Sequence, residues 1–122
     1  MSELGRLEVN RDGGVCVLRI LGEVDMSNAS ELLAAVGAAV PNDVPCVVVD
    51  LAETVYLDSA GVQVLFALAG RLHARRHQVS VVVPQDSPIR AVLELTGLST
   101  VVPVRARMPP PDPTEPAGEL DP

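Results

Sequence analysis

Hydrophobic positions recur with a two-residue period at the start of the chain. Residues 7–9 and 15–21 each predict a β-strand, because apolar and polar side chains alternate there. Residues 10–14, with the sequence NRDGG, lie between them. Asn, Asp and Gly are the residues that adopt the positive φ angles of a tight turn, so the chain is predicted to begin with a β-hairpin.

The spacing of apolar residues then changes from strand-like to helical. Asn28 and Glu31 are placed as a capping box, in which each side chain satisfies a backbone N–H at the helix start. Pro41 stops the pattern, since proline does not continue a helix. We therefore predict a first helix over residues 28–40.

Buried strands and amphipathic helices alternate in the second half of the chain. Residues 46–51 are apolar apart from Asp50, which is typical of a parallel strand shielded on both faces. An apolar stripe over residues 62–72 predicts a second helix, with arginines near the carboxyl end that complement the helix dipole. Residues 79–83 predict the next strand.

The last elements are a short helix and a short strand. Ser87 and Pro88 are suited to the start of a helix, Gly97 to its end, and residues 101–104 form the final strand. The predicted order is thus ββαβαβαβ. Strands separated by helices join through right-handed crossovers, so we expect an open α/β domain with a mixed, mostly parallel sheet and helices packed on it.

Composition divides the chain near residue 107. The 122 residues suffice for one domain, which we assign to residues 1–107. Residues 108–122 hold six of the 11 prolines, four acidic residues and almost no apolar ones, so they are predicted to form a proline-rich, acidic, disordered tail. The tail carries −4 of the net charge of −7 and leaves the domain only mildly acidic.

The nine basic residues are all arginine, which excludes several kinds of chemistry. Without lysine the chain has no phosphate-binding lysine of a P-loop and no Schiff-base catalysis. A receiver domain is the nearest alternative, because Asp50 ends a buried strand as a phosphoaccepting aspartate would, but that class also uses a lysine. An acidic chain with one Tyr, one Phe and no Trp also lacks the surface that nucleic-acid binding needs, so no nucleic acid is expected as a partner.

The start of the chain has no apolar core of a leader peptide, and no stretch approaches the roughly 18 apolar residues of a membrane span. Cys16 and Cys46 lie in apolar runs, which favours reduced, buried thiols over a disulfide or a redox sensor. We therefore expect a cytoplasmic protein without a membrane span.

The segment that follows the buried strand carries the candidate chemistry. A loop leads to Asp58 and Ser59 at the start of the second helix, where free N–H groups and the helix dipole favour an anion. Gly61 costs a helix about 1 kcal/mol relative to alanine, so another backbone or a partner is expected to approach it closely. From spacing alone, the preferred explanation is that Asp58 or Ser59 is a simple helix cap.

Two short motifs give this segment a family resemblance. Residues 57–62, with the sequence LDSAGV after a valine-rich strand, resemble the signature of STAS-domain anti-sigma factor antagonists. Residues 22–25, with the sequence GEVD, are similar to the Gly-Glu-Leu-Asp element of the same family. The predicted element order over residues 7–104 also matches this family, so the resemblance implies a single STAS-like domain.

The resemblance implies a phosphorylation switch centred on Ser59. In this family, the serine after the motif aspartate accepts phosphate from an anti-sigma factor that is also an ATP-dependent serine kinase. The unmodified protein binds that kinase and frees the sigma factor, phosphorylation releases it, and a metal-dependent serine phosphatase resets the system. Many relatives have Ser or Thr in the next position, whereas here Ala60 removes a competing hydroxyl.

The chain is then a substrate and not an enzyme, with no cofactor or metal of its own. The resemblance places Asp58 as a loop holder or helix cap and Asp25 near the kinase or its nucleotide. The expected partner-binding residues are Asp25, Asp58, Ser59, Ala60, Gly61 and Val62. The alternative within the family is a small, non-switching STAS subunit of a membrane lipid-transport ATPase.

Two other sites are weakly indicated. Ser59 does not lie in the Gly-x-Ser-x-Gly turn of a serine hydrolase. His73 and His77 have the i, i+4 spacing of a metal pair, but the arginines between them discourage a cation, so we interpret both as surface residues.

Overall fold

The computed structural model describes residues 5–108. The elements are β1 (Gly5–Asp12), β2 (Val15–Val24), α1 (Ala29–Ala39), β3 (Cys46–Asp50), β4 (Thr54–Leu57), α2 (Ser59–Ala74), β5 (Gln78–Val82), α3 (Arg90–Thr96), a 3₁₀ turn (Leu98–Thr100) and β6 (Val104–Arg105). Residues 109–122 lie outside the described part, so the disordered tail stays a prediction, as does the domain boundary at residue 107.

One mixed sheet organises these elements. Its strands lie in the order β1-β2-β3-β5-β6, and β4 pairs with the end of β2 beyond β3. β1 and β2 form the predicted antiparallel hairpin, whereas β2, β3, β5 and β6 run parallel to one another. The predicted α/β class with a mostly parallel sheet is therefore confirmed.

The helices cover one face of this sheet. Leu18 and Val49 from the strands pack there against Leu32 of α1, Leu68 of α2 and Leu93 of α3. The alternating apolar residues of the strands and the apolar stripes of the helices therefore form one shared core.

The opposite face of the sheet carries a smaller apolar cluster and an ion-pair group. Val15, Val48 and Val82 are buried on this face. Beside them Arg19 makes ion pairs with Glu8 at 3.4 Å, Asp50 at 3.6 Å and Glu53 at 3.3 Å. The positive charge of Arg19 thus offsets the negative charges of the three carboxylates around it. Arg19 alternates with the buried Leu18 and Ile20 along β2, so its side chain points away from the helices.

Several boundaries differ from those predicted. Helix α1 is shorter by one residue at each end, and the capping box is wrong: Asn28 makes no side-chain capping bond. Its amide instead accepts from the Asp25 N–H at 3.0 Å and donates to the Glu23 carbonyl at 2.9 Å. The GEVD motif was expected to follow the second strand, but β2 extends through Val24 and includes most of it.

The carboxyl-terminal elements also start later than predicted. Ser87 accepts a bond from the Ile89 N–H at 3.3 Å and opens a turn, so α3 begins only at Arg90, while Gly97 ends it as predicted, with φ 79°. Residues 98–100 form the 3₁₀ turn, which moves the last strand to Val104–Arg105.

Two side chains lie differently from their predicted positions. His77 is buried rather than exposed, and its Nδ1 lies 2.6 Å from the Val44 carbonyl oxygen. Cys16 is buried, while Cys46 is only half-buried, and both thiols are free as expected. Burial raises the pKa of the Cys16 thiol despite the nearby Arg11, and the two thiols face opposite sides of the sheet. These thiols therefore do not form a disulfide with each other.

The parallel strands bring two helix starts to one edge of the sheet. β2 leads into α1, and β4, which pairs with the last residues of β2, leads into α2. The sequence did not predict β4, whose residues were expected to form a loop. Because of this pairing, the GEVD and LDSAGV motifs lie side by side at the carboxyl ends of their strands, the usual position of functional groups in α/β sheets.

Candidate functional site

Ser59 is the first residue of α2 and its side chain is exposed. Asp58 precedes it as the N-cap: its Oδ1 accepts from the Gly61 N–H at 2.9 Å, and its carbonyl accepts from the Val62 N–H at 3.0 Å. The N–H groups of Ser59 and Ala60 have no acceptor within the helix, because a helical N–H bonds to the carbonyl four residues earlier. The hydroxyl of Ser59 therefore lies at the positive end of a 16-residue helix.

The carboxylate of Asp58 also joins the two helix starts. Its Oδ2 accepts from the Met26 N–H at 3.2 Å, and the Asp58 N–H donates to the Val24 carbonyl at 3.3 Å. Both carboxylate oxygens thus accept from backbone N–H groups, one of them from Met26, which lies 32 residues before Asp58 in sequence. Asp58 therefore fixes the position of Ser59 relative to the segment that enters α1, as the loop-holding role implies.

Asp25 organises the segment that enters α1. Its Oδ1 accepts from the Ser27 N–H at 2.9 Å and from the Ser27 hydroxyl at 2.6 Å. The side-chain hydrogen bond from Ser27, followed by the backbone bond, lowers the pKa of Asp25. The Asp25 carbonyl accepts from the N–H groups of Asn28 and Ala29. Asp25 therefore supplies acceptors at the start of α1, where the sequence predicted the side chain of Asn28 as the cap.

Gly61 is required by a close approach of two backbones. A Cβ atom at this position would lie 2.5 Å from the Val24 carbonyl oxygen and 3.1 Å from Leu57 Cδ2. The predicted approach of another backbone is therefore confirmed, and that backbone is the end of β2 in the same chain. Gly61 itself is buried, so it supports the site from beneath rather than offering a surface to a partner.

The six predicted partner-binding residues thus have different exposures. Ser59 is exposed, Gly61 is buried, and the other four are half-buried: Asp25, Asp58, Ala60 and Val62. Ala60 and Val62 also pack against the core. The fold brings all six to one edge, but it leaves Ser59 as the most accessible among them.

Three apolar side chains beside Ser59 were missed by sequence reasoning. Met26 is 80% exposed, Val55 is 55% exposed and Tyr56 is 49% exposed. Met26 follows Asp25 directly, and Val55 and Tyr56 belong to β4, just before Asp58. Their signal in the sequence is weak, because exposure of a single apolar residue cannot be told from burial without knowing its strand partner.

The histidines do not form a metal site. His77 lies beyond the end of α2 and is buried against Val44, whereas His73 is exposed on the helix. Over residues 5–108, no group of three or more His, Cys, Asp or Glu side chains is placed to hold a metal ion. In the same range, no helix is long and apolar enough to cross a membrane.

Comparison with known proteins identifies the family of this chain. Residues 7–103 match the family described as Mlab, STAS domain. The chain belongs to the STAS domain family. RsfB of Mycobacterium tuberculosis, an anti-sigma-F factor antagonist, is 33% identical over 85 residues, which is 70% of this chain and 68% of RsfB. BtrV of Bordetella bronchiseptica, a proposed anti-sigma factor antagonist, is 31% identical over 100 residues, 81% of this chain and 84% of BtrV.

Solved structures of anti-sigma factor antagonists share the fold. An anti-sigma factor antagonist from Mycobacterium paratuberculosis superimposes with a TM-score of 0.75 at 31% identity, covering 85% of this chain and 87% of that one. The anti-sigma factor antagonist SpoIIAA, in its unphosphorylated form, superimposes with a TM-score of 0.62 at 20% identity, covering 82% of this chain and 86% of its own. The family resemblance drawn from the LDSAGV and GEVD motifs is therefore confirmed.

Proposed function

We propose that this STAS domain is an anti-sigma factor antagonist switched by phosphorylation of Ser59. In its unmodified form it binds an anti-sigma factor that is also an ATP-dependent serine kinase, and the sigma factor is released. The observation that carries the proposal is the position of Ser59: an exposed hydroxyl at the start of α2, directly after a carboxylate that two backbone N–H groups hold in place.

The relatives support the binding part of this proposal. RsfB and the mycobacterial structure are both anti-sigma factor antagonists, and both exceed 30% identity to this chain. SpoIIAA, which shares the fold, has been solved in unphosphorylated and phosphorylated forms. A domain of this architecture thus accommodates a phosphate, which makes a serine at the exposed helix start a reasonable acceptor.

Local electrostatics explains how one phosphate separates the partners. A phosphoserine carries about −1.5 to −2 charges. In the free protein, the N–H groups at the start of α2 and the helix dipole stabilise that charge. In the complex, the phosphate is repelled by the phosphates of the kinase's nucleotide, water screens its repulsion from Asp58 less, and it must be desolvated as well. The same modification is therefore tolerated by the fold and unfavourable for binding.

We propose that the partners supply the catalysis. The kinase transfers the γ-phosphoryl group of ATP to Ser59 Oγ, so an O–P bond forms at serine, ADP leaves and the hydroxyl proton passes to a base of the kinase. A metal-dependent serine phosphatase hydrolyses the ester and restores the hydroxyl. The chain acts as a cytoplasmic substrate and binding partner, with no enzymatic role.

The acceptor is tested by phosphate transfer to the full chain. The chain is incubated with ATP and each purified candidate kinase, and intact mass spectrometry records the gain of one phosphoryl group. We expect Ser59→Ala to abolish the gain. The matched control is Ser27→Ala, because Ser27 is also exposed at this edge and its hydroxyl is bonded to a carboxylate. Labelling that survives in Ser59→Ala and disappears in Ser27→Ala would overturn the assignment.

A further inference from the structure

Three exposed apolar side chains belong to the two segments that Asp58 joins. Within residues 5–108, seven large hydrophobic residues are exposed, and three of them lie in the segments that flank Asp58. We call Met26, Val55 and Tyr56 the apolar rim. Exposed apolar side chains brought to one end of a sheet are typical of a surface that a partner protein covers.

Backbone hydrogen bonds fix the apolar rim in place. The Met26 N–H donates to Asp58 Oδ2, so the most exposed member of the rim is tied to the residue that precedes Ser59. Tyr56 pairs with Glu23 in the β2–β4 ladder, and Glu23 lies three residues before Met26 in sequence. The backbone that carries the rim is therefore held beside Ser59, so a partner that covers the rim has to order only its side chains.

The carboxylates of the site already accept hydrogen bonds from the chain itself. Both carboxylate oxygens of Asp58 accept from backbone N–H groups of the chain itself, and Asp25 Oδ1 accepts two bonds from Ser27. A hydrogen bond from a partner to their remaining lone pairs replaces a bond to water, so its net gain is small. Burial of the rim's apolar atoms replaces no such bond, and Met and Tyr are enriched at the centres of protein interfaces.

We propose that the apolar rim is the anchor for the anti-sigma factor and supplies most of the affinity, while Ser59 supplies the switch. This inference rests on the proposed function, because it takes the anti-sigma factor as the protein that covers the rim. Anchor and switch then act through different forces, one by apolar burial and the other by charge. Truncating the anchor is therefore expected to weaken binding by the same factor whether or not residue 59 carries a negative charge.

The test measures affinity by isothermal titration calorimetry, with full-length chain and the purified anti-sigma factor that phosphorylates Ser59. A non-hydrolysable ATP analogue keeps Ser59 unmodified. Met26→Ala is expected to weaken binding by roughly tenfold or more, and Met26→Leu to restore most of it. The matched control is Leu95→Ala, since Leu95 is 87% exposed on α3, outside the rim, and its truncation should change affinity by less than about twofold.

Folding is controlled separately. Met26 uses its backbone N–H and not its side chain to bond Asp58, so Met26→Ala should melt at the temperature of the wild type. If Met26→Ala and Tyr56→Ala both bind within about twofold of the wild type, the rim is not the anchor, although the phosphorylation switch would stand. If no purified anti-sigma factor binds the wild-type chain, both the proposed function and the anchor are wrong.

Discussion

Replacing Gly61 with alanine should destabilise the domain, although alanine is the better helix former. The new Cβ would lie 2.5 Å from the Val24 carbonyl oxygen, and reaching even 3.0 Å requires a shift of about 0.5 Å between two backbones. Crowding of this kind costs about 1–3 kcal/mol, and weakening the Asp58 N–H to Val24 bond adds about 0.5–1.5 kcal/mol. Helix propensity returns about 1 kcal/mol, which leaves a net loss of about 2 kcal/mol.

The same helix contains the control for this substitution. Gly70 lies in α2, and a Cβ there would meet no atom within 4 Å, so Gly70→Ala should stabilise the domain by about 1 kcal/mol. Urea unfolding is followed by far-UV circular dichroism, because the chain has no tryptophan. If Gly61→Ala were as stable as Gly70→Ala, the close approach of α2 to the end of β2 would be refuted.

The two aspartates at this edge allow two further predictions. Asp58→Ala removes the hydrogen bonds to Gly61 and Met26 and should lower the free energy of unfolding in urea by about 1–3 kcal/mol. Asp58→Asn keeps one carbonyl oxygen as an acceptor, so its loss of stability should be smaller. Equal losses for the two variants would contradict the bridging role of Asp58. Hydrogen bonds from Ser27 lower the pKa of Asp25, so its contribution is present above the ordinary aspartate pKa and lost as pH falls through the lower folded value. Unfolding of wild type and Asp25→Asn, measured between neutral pH and pH 3, should therefore show a difference that shrinks in acid, and a constant difference would count against it.

Periodicity was sufficient to predict the layered α/β architecture. The hairpin, the buried strand ending at Asp50 and the helix beginning after Asp58 all follow from apolar spacing and turn residues. The close approach at Gly61 was also predicted, because a glycine in the first turn of a helix is otherwise unfavourable. The strands and helices depend on residues that are near one another in sequence, whereas the sequence did not identify the end of β2 as the backbone that approaches Gly61.

The features that were missed depend on pairing between distant segments. β4 has only four residues, and it becomes a strand because the end of β2 extends beyond β3 and offers it a partner. The bond between Met26 and Asp58 joins loops 32 residues apart, so neither motif alone indicates it. Asn28 was assigned as a cap from local spacing, but its amide bonds instead to Glu23 and Asp25 at the end of β2. The exposure of the apolar rim follows from these same long-range contacts.

The central claim is that a phosphate on Ser59 releases the anti-sigma factor. It is tested most directly by calorimetric titration of that factor with the enzymatically phosphorylated chain, the unmodified chain and Ser59→Ala. We predict that Ser59→Ala binds like the unmodified chain and that phosphorylation weakens binding by about a hundredfold or more, since a like charge at an interface costs several kcal/mol. Equal affinity of the phosphorylated and unmodified chains would contradict the switch and would favour a STAS subunit that binds its partner constitutively.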